Sequence, residues 1–335
     1  MKVEMTADLE AVRPAVLARY GPLAAGLNWV PLGATGGFSG AHVWRGERGG
    51  SPVLALKAWP PAGMTVERLV GIHRVMARAA HLPFVPAVAR TDDGSTGVVA
   101  AGRVWDVTAW MPGAADFHLR PSAARLAAAA AALARLHLAW RPSLGVAGPS
   151  PGVRARLRSI VRWRALAAGR TGPDVRQHPA LAAPAARGWR AVAAAADRAE
   201  RALREWEGRP VPTQPCLRDV WGAHVLFTGE AVTGLVDYGS VNDDHVGTDL
   251  ARMLGDLVGD DAGRFAAGLA AYRAAGGVLD APDEFVRTLD RTGAVGAVIT
   301  WLLRLHGGTY AHPDWPAVAA RLDRLAARVE RNFPG

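Results

Sequence analysis

Lysine is almost missing from this chain. Lys2 and Lys57 are the only two among 39 basic residues, so arginine is its default cation. A lone internal lysine in that background points to a task needing a compact point charge rather than a flat guanidinium fork. Cysteine is scarcer still. The single Cys216 excludes an internal disulfide. No uncharged apolar run reaches about 18 residues, which argues against a membrane-spanning helix. The N-terminal stretch MKVEMTADLEAVRPAVLARYG is charged throughout and lacks the apolar centre of a signal peptide. Also missing is any G-x-x-x-x-G-K-[ST] phosphate loop. Together these absences predict a cytoplasmic protein held by its core alone, without a membrane partner.

What is present is ample. The 335 residues suffice for two domains or one large two-lobed one. Half are hydrophobic and 21% are charged, as in ordinary globular proteins. The net charge of +9 is unevenly placed. Residues 151–210 hold 13 Arg against Asp174, Asp197, Glu200, Glu205 and Glu207, a net of +8. Two explanations stand: solvated, Arg-decorated helices, or a surface for an anionic substrate or partner.

The front of the chain is strand-rich. AHVWRG, PVLALKAW, FVPAVART, TGVVAAG and RVWDVTAWM have strand character, and TVERLVGIHRVMARAAH has helical spacing. Behind them SAARLAAAAAALARLHLAW is a strong helix by propensity. Two or three more helices are expected over 151–207, a hairpin in HVLFTGEAVTGLVDYG with Gly229 at its turn, and helices to the end. The pattern predicts an α+β, bilobal protein: residues 1–111 a β-rich lobe with one main helix, residues 112–335 a mostly helical lobe holding a small hairpin.

Several residues could carry chemistry. The Gly-rich stretch from Gly33 to Gly40 lies between strands and could bring backbone amides to phosphate oxygens; a tight hairpin is the plain alternative. Lys57, on a strand behind that stretch, could reach phosphates beneath it. Glu67, ten residues on, could pair with Lys57 or simply favour a helix N-terminus. Asp219 and Asp237 flank a hairpin that would bring both carboxylates to one end of a small sheet. Phosphoryl transfer uses one carboxylate on the acceptor hydroxyl and another on the metal.

In their order along the chain, GGFSGA, ALKAW, WMPG, LARLH, LRDVWGAH, GLVDYGS and TDLAR resemble the aminoglycoside phosphotransferase and choline kinase-like branch of the protein-kinase-like fold. The resemblance spans roughly 30–260. It implies a nucleotide site formed by Gly36, Gly37, Phe38, Ser39 and Gly40, with Lys57 on the phosphates and Glu67 paired to it. The backbone at Ala109 and Met111 would meet the adenine. It further implies Asp219 as catalytic base, Asp237 as the principal Mg2+ ligand, and Asp249 as a brace for the catalytic loop. ATP or GTP would be the phosphoryl donor and a small hydroxyl compound the acceptor.

Two departures from the H-G-D-x-x-x-x-N pattern stand out. Leu217 and Arg218 replace the usual His-Gly, and His224 replaces the metal-binding Asn. Mg2+ prefers oxygen ligands, whereas imidazole suits transition metals better. His224 therefore has three readings: ligand to a metal other than Mg2+, such as Mn2+; contact through water or to phosphate; or mark of a lost activity. The last gives the rival reading, a pseudokinase that binds nucleotide or a partner without transfer. The basic segment 141–212 lies where the family shapes its acceptor pocket. A site for polycations would favour carboxylates, so the acceptor is expected to be neutral or anionic rather than an aminoglycoside. Nucleic acid is the least expected partner, and no motif specifies an oligomeric state.

Overall fold

The structure, a computed structural model, describes residues 2–33, 40–141, 147–176, 178–306 and 314–334. In chain order the elements begin with α1 (Lys2–Ala18), β1 (Asn28–Gly33), β2 (His42–Arg48), β3 (Ser51–Ala58), α2 (Val66–Arg78), β4 (Val98–Ala100) and β5 (Arg103–Ala109). Then come α3 (Ala123–Trp140), β6 (Gly148–Pro149), α4 (Pro151–Ala167), α5 (Ala182–Glu207), β7 (Pro210–Val211) and β8 (Gln214–Cys216). The chain continues through β9 (Val225–Thr228), β10 (Ala231–Leu235), β11 (Asn242–Asp244), α6 (Gly247–Leu257), α7 (Ala262–Ala274), α8 (Asp283–His306) and α9 (Trp315–Asn332). None of the described helices is long and apolar enough to cross a membrane.

Two compact units emerge: Met1–Asp116 with Ala223–Gly239, and Phe117–Gly222 with Ser240–Gly335. The longer segment of the first unit ends at Asp116. The hairpin, expected with the helical half, groups with the sheet instead. Ala114 and Phe227 exchange both backbone hydrogen bonds at 2.9 Å, and the Leu235 N–H donates to the Phe84 carbonyl. Gly113 permits this approach. Its φ is +100°, and a Cβ there would stand 2.7 Å from the Phe227 carbonyl oxygen.

The first unit holds a five-stranded antiparallel sheet in the order β1-β2-β3-β5-β4. Alternation in β3 sorts its side chains. Leu54, Leu56 and Ala58 are buried with Trp44, Trp105, Val107 and residues of α1 in one core. Trp44 and Trp105 stack across that face with centroids 5.4 Å apart. Ala55 and Lys57 take the other face, where Lys57 lies opposite Val43 and Asp106. On α2, Leu69, Ile72, His73 and Met76 turn inward at helical spacing, and Thr65 caps its start through the Arg68 N–H. The segment FVPAVART forms no strand, only an isolated bridge from Val88 to Thr108. Pro86 within it lacks the N–H that a longer ladder needs.

The second unit is helical. The 26-residue α5 packs against α8 and α9, and α3 against α7. Two helices, α4 and α5, occupy the basic segment. The short pair β8–β11 sets Cys216 opposite Asn242 and delivers the chain to the loop that begins at Leu217.

Candidate active site

The first unit contains a cavity of about 400 Å³. Apolar side chains line most of it, among them Leu32, Val43, Met76, Met111 and Leu226. Lys57, His73, Asp106, His224 and Asp237 make its polar end. Such a cavity suits a flat apolar ligand carrying an anionic tail. The Ala109 and Met111 positions both border it. The Ala109 N–H is spent on the Ala87 carbonyl, while the Met111 N–H has no acceptor among the described residues. Of the Gly-rich stretch, Gly36, Gly37, Phe38 and Ser39 lie outside the described residues. Gly40 is exposed, with φ +75°.

Sheet register and hairpin closure build the polar end. Lys57 Nζ lies 2.8 Å from Asp237 Oδ1 and 3.8 Å from the centroid of the Trp59 ring, a cation–π contact. The Trp59 indole N–H donates to Asp106 Oδ1 at 2.7 Å, and Asp106 Oδ2 meets His73 Nε2 at 3.2 Å. The Val236 N–H donates to the His224 carbonyl, closing the hairpin so that His224 Nε2 comes within 3.6 Å of Asp237 Oδ2. Asp237 has φ +63°, a left-handed conformation that Asp tolerates better than most side chains. Burial alone would raise its carboxyl, but the charges of Lys57 and His224 outweigh that and hold it below the usual carboxylate range.

Glu67 does not join this group. It is exposed in the first turn of α2, where its carboxylate takes its own backbone N–H and the Thr65 hydroxyl. Helical phase explains the placement. The inward stripe of α2 runs through Leu69, Ile72, His73 and Met76, and Glu67 lies on the opposite side. The residues that face the lysine's surroundings are His73 and Asp106. Both are buried, and sequence reasoning passed over both. A signal existed: an Asp amid the buried residues of RVWDVTA is costly unless something pairs with it.

In the second unit Asp219 lies on the loop after β8. Asp249, fully buried, accepts the N–H groups of Leu217 and Arg218 at 2.7 and 2.6 Å. Its Oδ2 also meets His137 Nε2 at 3.1 Å, and His137 Nδ1 meets the Tyr272 hydroxyl at 2.9 Å. Asp256 accepts the Gly222 N–H at 2.8 Å, and Arg252 donates to Asp219 Oδ1 from Nε and Nη2 at 3.2 and 3.1 Å. Asp249, Arg252 and Asp256 follow one another at i, i+3 and i+7 on α6, so one helix face sets the whole loop. That spacing was open to view in TDLARMLGD. Arg218 explains why glycine is usual at its position. Its φ is +64°, and it stays there with its N–H on Asp249 and its Nε 3.3 Å from Asp244.

A model of the phosphotransferase enzyme family matches residues 32–285, well over half of the chain. The chain belongs to the phosphotransferase enzyme family. Solved structures of similar fold include spectinomycin phosphotransferase in complex with ADP and spectinomycin. That likeness has 12% identity and a TM-score of 0.64, and covers 91% of this chain and 92% of that one. A choline/ethanolamine kinase family protein from Mesorhizobium loti shares 19% identity over 97% of this chain and 95% of its own, with a TM-score of 0.59. An amicoumacin kinase in complex with AMP-PNP, Ca2+ and Ami gives 12% identity, 100% and 98% coverage, and a TM-score of 0.62. No curated protein matches the chain by sequence. At these identities the structures establish the fold, which is kinase-like and α+β as the sequence predicts.

Proposed function

We propose that this family member is a small-molecule kinase, transferring the γ-phosphoryl of ATP or GTP to a hydroxyl of a neutral or anionic acceptor in the cytoplasm. One observation carries the reading: Lys57, Asp237 and His224 converge at the polar end of an otherwise apolar cavity. The base would lie in the apolar part with the Met111 N–H as donor, and the phosphates at Lys57. Gly36 to Gly40 would cover them. Asp219 would accept the hydroxyl proton as the acceptor oxygen takes the phosphoryl group. Asp249 would keep that loop in register.

The residues fit a divalent cation. Two cis donors each about 2.1 Å from one octahedral ion stand about 3 Å apart, a small side-chain movement from the spacing seen here. Asp237 Oδ2 and His224 Nε2 are 3.6 Å apart. Held there, the ion would neutralise charge on the phosphates. The presence of Lys57, Asp219 and Asp237 together speaks for transfer over nucleotide binding alone.

The reading of the acceptor class is supported by Arg252 and Arg321 beside Asp219, with the buried Arg156 behind them, rather than by the basic segment as a whole. In that segment Arg164, Arg176 and Arg204 are matched by Asp197, Asp174, Glu200 and Glu207, and Arg187 by Asp323 and Glu330 of α9. Beside the loop, Arg252 and Arg321 both lie over the Trp221 ring, and Arg156 donates to the Leu289 and Gly152 carbonyls. Burial pushes the Arg156 and Arg321 guanidinium groups down to about 10, and the charge of Arg252 adds to this at both. These cations would repel a polycationic acceptor. The test is Asp219→Asn. Turnover should fall by about a thousandfold while nucleotide affinity changes by less than about twofold. Normal turnover in this variant contradicts the role of Asp219.

A further inference from the structure

Asp237 presents its two oxygens to different partners. Lys57 takes Oδ1, and Oδ2 faces His224 Nε2. The ring is buried, and the backbone that carries it is fixed because the His224 carbonyl accepts the Val236 N–H that closes the hairpin. An imidazole nitrogen is thereby held beside the carboxylate whose other oxygen takes Lys57. Resting on the nucleotide-site reading above, we propose that the cation of this site is a divalent transition-metal ion of the Mn2+ type, bound in preference to Mg2+ through direct ligation by His224 Nε2 and Asp237 Oδ2.

Donor chemistry separates the two ions. Mg2+ holds its water reluctantly released and favours six oxygens in strict octahedral geometry. An imidazole at this position withdraws one oxygen donor and supplies nitrogen, which Mg2+ binds poorly and first-row transition ions bind well. The carboxylate retains the charge needed for either ion, so the selectivity rests on residue 224. Octahedral ligation needs Nε2 and Oδ2 to close from 3.6 Å to about 3 Å, a side-chain adjustment that leaves the hairpin backbone in place.

The direct test is pulsed electron paramagnetic resonance on the protein loaded with Mn2+ and AMP-PNP. Directly bound imidazole gives a nitrogen hyperfine coupling, which should be present in the wild type and lost in His224→Asn. It should persist in His81→Gln, the control at an exposed histidine outside the cavity. By calorimetry, the ratio of AMP-PNP affinities with Mn2+ and with Mg2+ should fall about tenfold or more in His224→Asn. Metal-dependent nucleotide binding without a nitrogen coupling in the wild type, or with one that survives His224→Asn, overturns the ligation but leaves the nucleotide site standing. Failure of AMP-PNP to bind with either ion overturns both.

Discussion

The two units reach their site residues by different routes. In the first, the polar end of the cavity gathers side chains from β3, α2, β5 and the β9–β10 hairpin, segments as far apart in sequence as Lys57 and Asp237. Strand alternation and ladder register do the placing. In the second, a single face of α6 sets the loop: Asp249 and Asp256 hold its backbone N–H groups and Arg252 holds the Asp219 side chain. The first arrangement depends on many distant contacts, each of modest worth. The second concentrates its dependence on one buried carboxylate.

The sharpest way to break the second arrangement is Asp249→Ala. It leaves the Leu217 and Arg218 N–H groups and His137 without their buried acceptor. Stability should fall by about 3–5 kcal/mol, read as a lower urea midpoint at unchanged m, and turnover should fall with it. A loss below about 1 kcal/mol would show that the loop is held otherwise.

Acidification sharpens the same contrast. His245 is buried in the second unit, accepts the Gly247 N–H at Nδ1, and packs edge-on to Phe285. Burial lowers its imidazole to about 4. The unfolded chain takes up the proton first, near pH ~6.5. The stability that neutral His245 contributes is therefore complete above that pH. It drains away as pH falls towards about 4, by about 3 kcal/mol in total. His245→Asn keeps an acceptor but cannot titrate there, so unfolding free energy measured between pH ~6.5 and ~4 should be flatter than in the wild type. Equal slopes would remove His245 as the source.

The smallest of these effects belongs to the first unit. Gly113→Ala forces a Cβ against the Phe227 carbonyl and the Thr233 hydroxyl in a left-handed conformation. A cost of about 2 kcal/mol is expected, with weaker nucleotide binding because Met111 borders the cavity two residues away. Unchanged affinity with reduced stability would mean that the hairpin contact supports the fold but not the cavity.

Much of this was legible in the sequence, and the limits have physical causes. Lys57, Asp237 and the hairpin followed from strand alternation and turn residues, which are local signals. Asp219 and its brace Asp249 stood out through the loop motif and the TDLAR motif, while the structure added Asp256 and Arg252 from the same helix face. Lys57's surroundings were misjudged because proximity in sequence favoured Glu67, while helical phase turns His73 inward instead. Asp106 reaches the site only through the pairing of β3 with β5. The matching of Arg187 with α9 carboxylates joins residues 136 and 143 positions apart, a relation no local pattern encodes.

The central claim is that the first unit's cavity binds a nucleotide through a cation held by Asp237. Calorimetric titration of ATP into the protein, with and without divalent cation, tests it most directly. The account predicts binding that requires the cation, is lost in Asp237→Ala and is retained in Asp219→Asn. Binding that ignores the cation and survives Asp237→Ala would contradict it.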